Sequence, residues 1–575
     1  MFNVSFNRRL RFPGMVFGFA LLVVACGRDP RNRAHAAVPM SSIRQGERLA
    51  QTYCSSCHLA PDPSLLDSRS WEKGVLPAMG PRLGIFAYGF RLYPNSSRDT
   101  NIGKGYYPSQ PLLSYTDWQH ILDYYTATSP DSLPGQGRRW PIAMRGLSLF
   151  DVREPGLRYR TPATTYIGVD TFPGERGVNC YDYHYHRLYR FSPDLRVADS
   201  VADNGGIVDM VRDGSDWVTC DIGVLNPNNG KSGKVGRIGP VWEAEGVGPV
   251  REAEGVGPAR KAEGVGPVRK PGGAGKGGTG EGGAGGAGMG MGGGRWVVDT
   301  PALYLPLARP VQLAKADLNG DGRTDWVVCE FGNLKGALSW LENKGGGRYE
   351  RHIIRAVPGA IRVYVNDYNH DGRPDLWVLF AQGDEGIFLF TNQGNGRFTQ
   401  QALLRFPPCY GSSYFELVDF NKDGHPDILY TCGDNADFSP VLKPYHGIYI
   451  YLNDGHNHFT QRYFFPMNGA YKAVARDFDG DGDLDIAAIS FFPDFSHQPE
   501  EGFVYLENRG DYDFRPYSLP AAEQGKWLTM DVGDVDGDGR PDIVLGNFSL
   551  YSKITPAGVD FTKGPPFLLL KNRSK

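Results

Sequence analysis

The chain has 575 residues, more than one domain of ordinary size, and its net charge of −3 offers no basic surface to a nucleic acid. Aromatic residues make up 12% of it, with Tyr and Phe foremost, a bias of β-rich rather than helical proteins. Its 76 glycines exceed an average share, and many fall in one tract.

Arg8, Arg9 and Arg11 precede an apolar run over 15–25. That run is too short to cross a bilayer core of ~30 Å and predicts the apolar part of a signal peptide, 1–25. It stops at Val23-Val24-Ala25-Cys26, which resembles the lipobox of bacterial lipoproteins. The resemblance implies that Cys26 becomes the first mature residue and carries lipid, anchoring the chain to a membrane of the cell envelope. An ordinary signal peptide with an incidental cysteine, or an uncleaved anchor, is the alternative. Arg8-Arg9 also suggests twin-arginine export, but the flanking residues fit that signal poorly. Gly27 is not an Asp-type inner-membrane retention signal, which favours the outer membrane, at its periplasmic face or its surface. Residues 26–40 are polar, with Pro, Arg and Asn, and predict a flexible tether.

Cys54-Ser55-Ser56-Cys57-His58 has the spacing of covalent haem attachment. Two thiols add to the two haem vinyl groups, and the adjoining imidazole lies under the iron. Residues 44–53 have helical character, and 116–126 carry Trp118, Ile121, Leu122 and Tyr125 at helical spacing. Gly46 precedes Cys54 by eight residues. Residues 41–145 thereby resemble a small all-α class I cytochrome c domain, in which this glycine lets the first helix touch the last. The resemblance implies one haem c bound through Cys54 and Cys57, with His58 as proximal iron ligand. Met79, in a Pro/Gly-rich segment, is the expected sixth ligand, a pairing that raises the reduction potential. Met144, His120 and an open position compete with it.

Beyond 145 one pattern recurs five times. Its copies are Asp317-x-Asn319-x-Asp321-Gly322-x-x-Asp325, Asp367-x-Asn369-x-Asp371-Gly372-x-x-Asp375 and Asp419-x-Asn421-x-Asp423-Gly424-x-x-Asp427. Asp477-x-Asp479-x-Asp481-Gly482-x-x-Asp485 and Asp534-x-Asp536-x-Asp538-Gly539-x-x-Asp542 complete the set. Side-chain oxygens at positions one, three, five and nine, with a carbonyl at seven, suit Ca²⁺, which takes about 6–8 oxygens. An EF-hand is excluded, because position twelve of the first copy is Val328 and a strand-like run follows.

The copies begin 50–58 residues apart, and each leads to paired apolar runs, the second ending in Asn. This resembles the FG-GAP, or VCBS, repeats of integrin-type propellers. It implies a mainly β fold over 150–575, a β-propeller of about seven blades holding up to five calcium ions. Earlier residues predict degenerate blades. One is built on 166–169 and 188–191. A second, without calcium, is built on Asp209, Asp213 and Gly214 of 209–217. The final run, 567–572, is expected to complete the first blade from the other end of the chain. Residues 239–294 repeat a Glu-Gly-Val-Gly-Pro motif and then become a Gly/Ala tract, predicting a disordered insertion without a function of its own.

Cys180, Cys220, Cys329, Cys409 and Cys432 remain, an odd number, with Cys409–Cys432 one candidate disulfide. The aromatic segments 181–186 and 491–497 either bind a ligand or pack between blades, and packing is the stronger expectation. The whole predicts an electron carrier with a propeller that docks a redox protein or an extracellular ligand. A propeller dehydrogenase feeding its own cytochrome, and a cell-surface scaffold with a haem sensor, are the alternatives.

Overall fold

The computed structural model describes residues 29, 31–144, 147–241, 295–298, 302–436, 439–550 and 559–574. The expected signal peptide, Cys26 and residues 242–294 of the insertion lie outside these.

The helical region rests on two crossing helices, Met40–Tyr53 and Tyr115–Thr128, each longer than its pattern predicts. The first buries Ile43, Gly46 and Ala50, and the second buries Trp118, Ile121 and Tyr125, both at i, i+3, i+7 spacing. Ser114 caps the second helix, its hydroxyl accepting from Asp117 N at 3.0 Å. Short helical turns between them supply Leu66, Trp71 and Leu76 to the same core. The tether ends earlier than its composition suggests. Asn32 N donates to Ala127 O at 2.7 Å and Asn32 Nδ2 to Ser129 O at 2.9 Å, so the chain is tied down well before residue 40.

The remainder is a propeller of seven blades, each a sheet built on four antiparallel strands. Blade one is Thr164–Asp170, Gly177–Asp182, Arg187–Phe191 and Val197–Ala202. Blade two contains Ile207–Asp213, Asp216–Asp221, Gly233–Val241 and Arg295–Val298. Blade three, Pro310–Ala316, Asp325–Glu330, Ala337–Asn343 and Tyr349–Arg355, is the regular pattern. Blades four to six repeat it over 360–405, 412–466 and 470–517. Blade seven joins Trp527–Gly533, Asp542–Asn547 and Phe567–Asn572 to Phe150–Arg153. Closure therefore differs from expectation: the N-terminal strand finishes the last blade, and blade one is contiguous in sequence. Either arrangement removes a free sheet edge.

The inner strands are stitched by side chains that reach the next blade's backbone. Asp209 Oδ2 accepts from Leu313 N, Gln312 Oε1 from Val363 N and Asp531 Oδ2 from Val169 N, each at 2.8 Å. Asp209 is thus a strand residue rather than a degenerate loop ligand. Blade two has no calcium-type loop, because Asp213 pairs directly with Asp216 across a two-residue turn. The insertion is also shorter than predicted: residues 239–241 are still strand, with Val241 opposite Arg295.

Candidate haem and calcium sites

Each calcium-type loop joins the first and second strands of its blade. The up-and-down connectivity places all five at one end of the propeller, with the third-to-fourth strand turns. The helical region sits on the opposite end. Tyr106 OH donates to Leu334 O (3.2 Å), Asn229 Nδ2 to Asp99 Oδ2 (2.9 Å) and Tyr445 OH to Leu65 O (3.1 Å). Leu334, Asn229 and Tyr445 all lie in loops between second and third strands.

In the helical region the first helix runs directly into Cys54, which caps its C-terminus. A β-carbon on Gly46 would stand 1.9 Å from the His120 carbonyl oxygen, so only glycine permits this helix crossing. Cys54 is half-buried and Cys57 exposed, and both thiols are free. Burial pushes the Cys54 thiol up to about 11. His58 Nδ1–H donates to Leu59 O at 2.8 Å, which leaves Nε2 as the open nitrogen. Burial also lowers the His58 pKa, keeping the imidazole in its neutral, ligating form. Two free thiols and an oriented neutral imidazole fit a covalent haem, and these three residues would hold it.

Met79 ends the short helix Leu76–Met79 and is half-buried. The following Gly80 packs under Tyr93, whose ring a β-carbon would meet at 2.5 Å. His120 is otherwise engaged, its Nδ1 2.6 Å from Ser42 Oγ on the first helix. Met144 follows Ala143, which pairs with Tyr517 of blade six.

The five loops share one internal plan. In the first, Asp317 accepts from the main-chain N–H of Gly320, Asp321 and Gly322. Gly322, Gly372, Gly424, Gly482 and Gly539 all have φ between 80° and 95°, so position six needs glycine. Position nine does more than offer a ligand. Asp325, Asp375, Asp427, Asp485 and Asp542 are fully buried. Each accepts from the N–H of position two with one oxygen. The other oxygen accepts from the Asn that ends the third strand, at 2.7–2.8 Å. Those asparagines, Asn343, Asn392, Asn453, Asn508 and Asn572, are therefore part of the loop architecture, which the recurring strand ending had signalled.

Asp477, Asp479 and Asp481 bring ligand oxygens within 4.8 Å of one another, as do Asp534, Asp536 and Asp542. In the first three loops Asn replaces Asp at position three, and its Nδ2 donates to the position-five carboxylate at 2.8–3.0 Å. These loops could hold a hard cation through positions one, three and five and the carbonyl at seven. Sequence reasoning missed Glu342, which accepts from Asn319 Nδ2 at 3.0 Å. Glu342 also gathers with Glu350 and His352, their ligand atoms within 4.8 Å.

Cys409 and Cys432 are both free, as is every described cysteine, so that disulfide is not present. The aromatic segments pack only in part: Tyr181 is fully buried with its OH on Gly205 O at 2.8 Å and Phe491 and Phe492 pack in a buried cluster, while His184, Tyr185, His186 and His497 are exposed. Among the described residues no helix is long and apolar enough to cross a membrane.

Residues 317–378 and 367–430 match the FG-GAP-like repeat model. Integrin alpha-PS3 of Drosophila melanogaster is 34% identical over 118 residues, 17% of this chain and 10% of that one. Cartilage acidic protein 1 of Xenopus tropicalis is 24% identical over 262 residues, covering 41% of this chain and 38% of its own length. Phosphatidylinositol-glycan-specific phospholipase D of Rattus norvegicus is 26% identical over 247 residues, covering 42% and 24%. The chain thus spans well under half the length of these relatives. The matched repeats and the closed ring of sheets make this chain a seven-bladed β-propeller built with FG-GAP-like repeats.

Proposed function

We propose that the chain is an exported, lipid-anchored haem c protein that passes electrons, with a calcium-stabilised propeller that docks a protein partner or ligand. The observation that carries the reading is the attachment motif at the end of a helix that crosses another on Gly46, with His58 Nδ1 tied to Leu59 O and Nε2 left open. A bound haem supplies one-electron redox chemistry, and Met79 as sixth ligand would close the iron to substrate. Leu59 O holds the orientation of the His58 ring, while Trp71 and Tyr125, with ring centroids 4.5 Å apart, pack in the core that Cys54 borders.

The dehydrogenase alternative draws less support. Arg362 lies 4.9 Å over the rings of both Tyr364 and Tyr414, and Lys472 lies 4.9 Å over Tyr414, so these inner-strand cations are already partnered with aromatic rings. A cell-surface binding scaffold, with the haem domain accessory, is favoured by the partial likeness to an integrin chain. The covalent haem that the electron-carrier reading requires is tested in one experiment. Purified chain is denatured in acid and extracted with organic solvent. The electron-carrier reading expects haem to stay on the polypeptide, and to be lost from the Cys54→Ala/Cys57→Ala variant. A haem-free chain, or one whose haem extracts freely, refutes it.

A further inference from the structure

The residue before each loop-organising asparagine differs between blades: Glu342, Thr391, Leu452, Glu507 and Lys571. Strand pairing sets this side chain beside the loop of its own blade. In blade three it is an added carboxylate, Glu342, on Asn319. In blade seven it is an ammonium. Lys571 Nζ pairs with Asp536 and lies 3.4 Å from Asp538.

We infer that Lys571 takes the cation's place in the fifth loop, so that the chain loads four calcium ions rather than one per loop. The inference rests on the calcium reading of the loops. Two further cations stand in the same loop. Arg176, from blade one, donates to Asp534 Oδ2 at 3.0 Å and to Asp534 O at 2.8 Å. Arg540 pairs with Asp538, as Arg323 does with Asp321 and Arg373 with Asp371 in the first two loops, so Lys571 and Arg176 are the cations that set the fifth loop apart. Every carboxylate at positions one, three and five of this loop thus already faces a side-chain cation, and Ca²⁺ entering here would meet three positive charges at close range. The fourth loop is the contrast. Asp477, Asp479 and Asp481 converge, no described cation pairs with them, and Glu507 stands where blade seven has Lys571. Lys422 nearby reaches only Gly482 O, at 2.8 Å, and Asp483, at 3.6 Å.

Asp536 Oδ1 is buried and has no hydrogen-bond partner among the described residues. Removing the ammonium would leave that carboxylate open to an ion. The test is calcium titration of the chelator-stripped full chain by calorimetry, with stoichiometry checked by native mass spectrometry. The wild type is expected to take four ions, with the fifth loop at least about a hundredfold weaker. Lys571→Thr, which borrows the residue of blade four, should take five. Asp534→Ala, which removes position one of the fifth loop, should leave the wild-type stoichiometry unchanged. Five equivalent ions in the wild type, falling to four in Asp534→Ala, would overturn the inference while sparing the calcium reading. No binding by any variant would overturn both.

Discussion

Replacing Gly46 with alanine tests the helix crossing on which the haem motif depends. The added β-carbon would sit 1.9 Å from His120 O, 2.6 Å from its carbonyl carbon and 2.7 Å from Tyr124 Cβ. Two of these are backbone atoms, so no side-chain rotation relieves them. Restoring ordinary contact near 3.4 Å requires the helices to part by about 1.5 Å. Overpacking of this kind costs about 1–3 kcal/mol and more where backbone must move, while alanine returns about 1 kcal/mol of helix propensity. The net expectation is a loss of about 2 kcal/mol. Cys54 caps the shifted helix and moves with it, so covalent haem yield should fall as well. Hydrogen exchange read by mass spectrometry on the full chain reports the two helices locally, and about 2 kcal/mol is close to a thirtyfold faster exchange. Gly135→Ala is the control, because nothing lies within 4 Å of a β-carbon there. Equal protection and equal haem in the two variants would refute the crossing as a constraint.

Chelation of calcium should lower propeller stability by about 2.7 kcal/mol for each loop held at a hundred times its Kd, and a melting temperature indifferent to added Ca²⁺ would contradict this. Asp485→Ala should cost at least about 3 kcal/mol even without calcium. It strands Phe478 N–H, Asn508 N–H and Tyr505 OH, the last donating at 2.6 Å, each a buried donor worth about 1–3 kcal/mol; equal stability of variant and wild type in chelator would count against the buttress role. Burial pushes the Lys526 ammonium down to about 8, with the Phe491 ring 4.0 Å from Nζ. The unfolded chain then binds more protons than the folded one between about pH 8 and 10, so stability should rise with pH over that window. Lys526→Met should flatten the rise and add about 1–2 kcal/mol at pH 7, the cation–π contact having offset part of the burial cost; parallel pH profiles would show the reasoning wrong.

The repeat loops were legible because an Asp/Asn alternation with glycine at position six has few other uses, and the blade count followed from five copies with two degenerate blades ahead of them. The crossing of the two helices was likewise readable, since Gly46 stands where a close backbone approach demands it. Three features were not. Lys571 and Asp536 are 35 residues apart, and only the pairing of Phe567–Asn572 with Asp542–Asn547 brings them together. Asp209 reads as position one of a degenerate, calcium-free copy because Asp213 and Gly214 keep positions five and six, yet a two-residue turn leaves no loop there at all. Residues 32–39 read as tether by composition, but Asn32 donates from its backbone and side chain to the buried carbonyls at the C-terminal end of the last helix.

The central claim, a haem c held by Cys54, Cys57 and His58 and closed by Met79, is tested most directly by visible spectra of the purified full chain in both redox states, with Met79→Ala beside it. The account predicts a low-spin reduced spectrum and, in the oxidised wild type, a methionine–iron charge-transfer band that the variant loses. A five-coordinate high-spin wild type that binds carbon monoxide would contradict it.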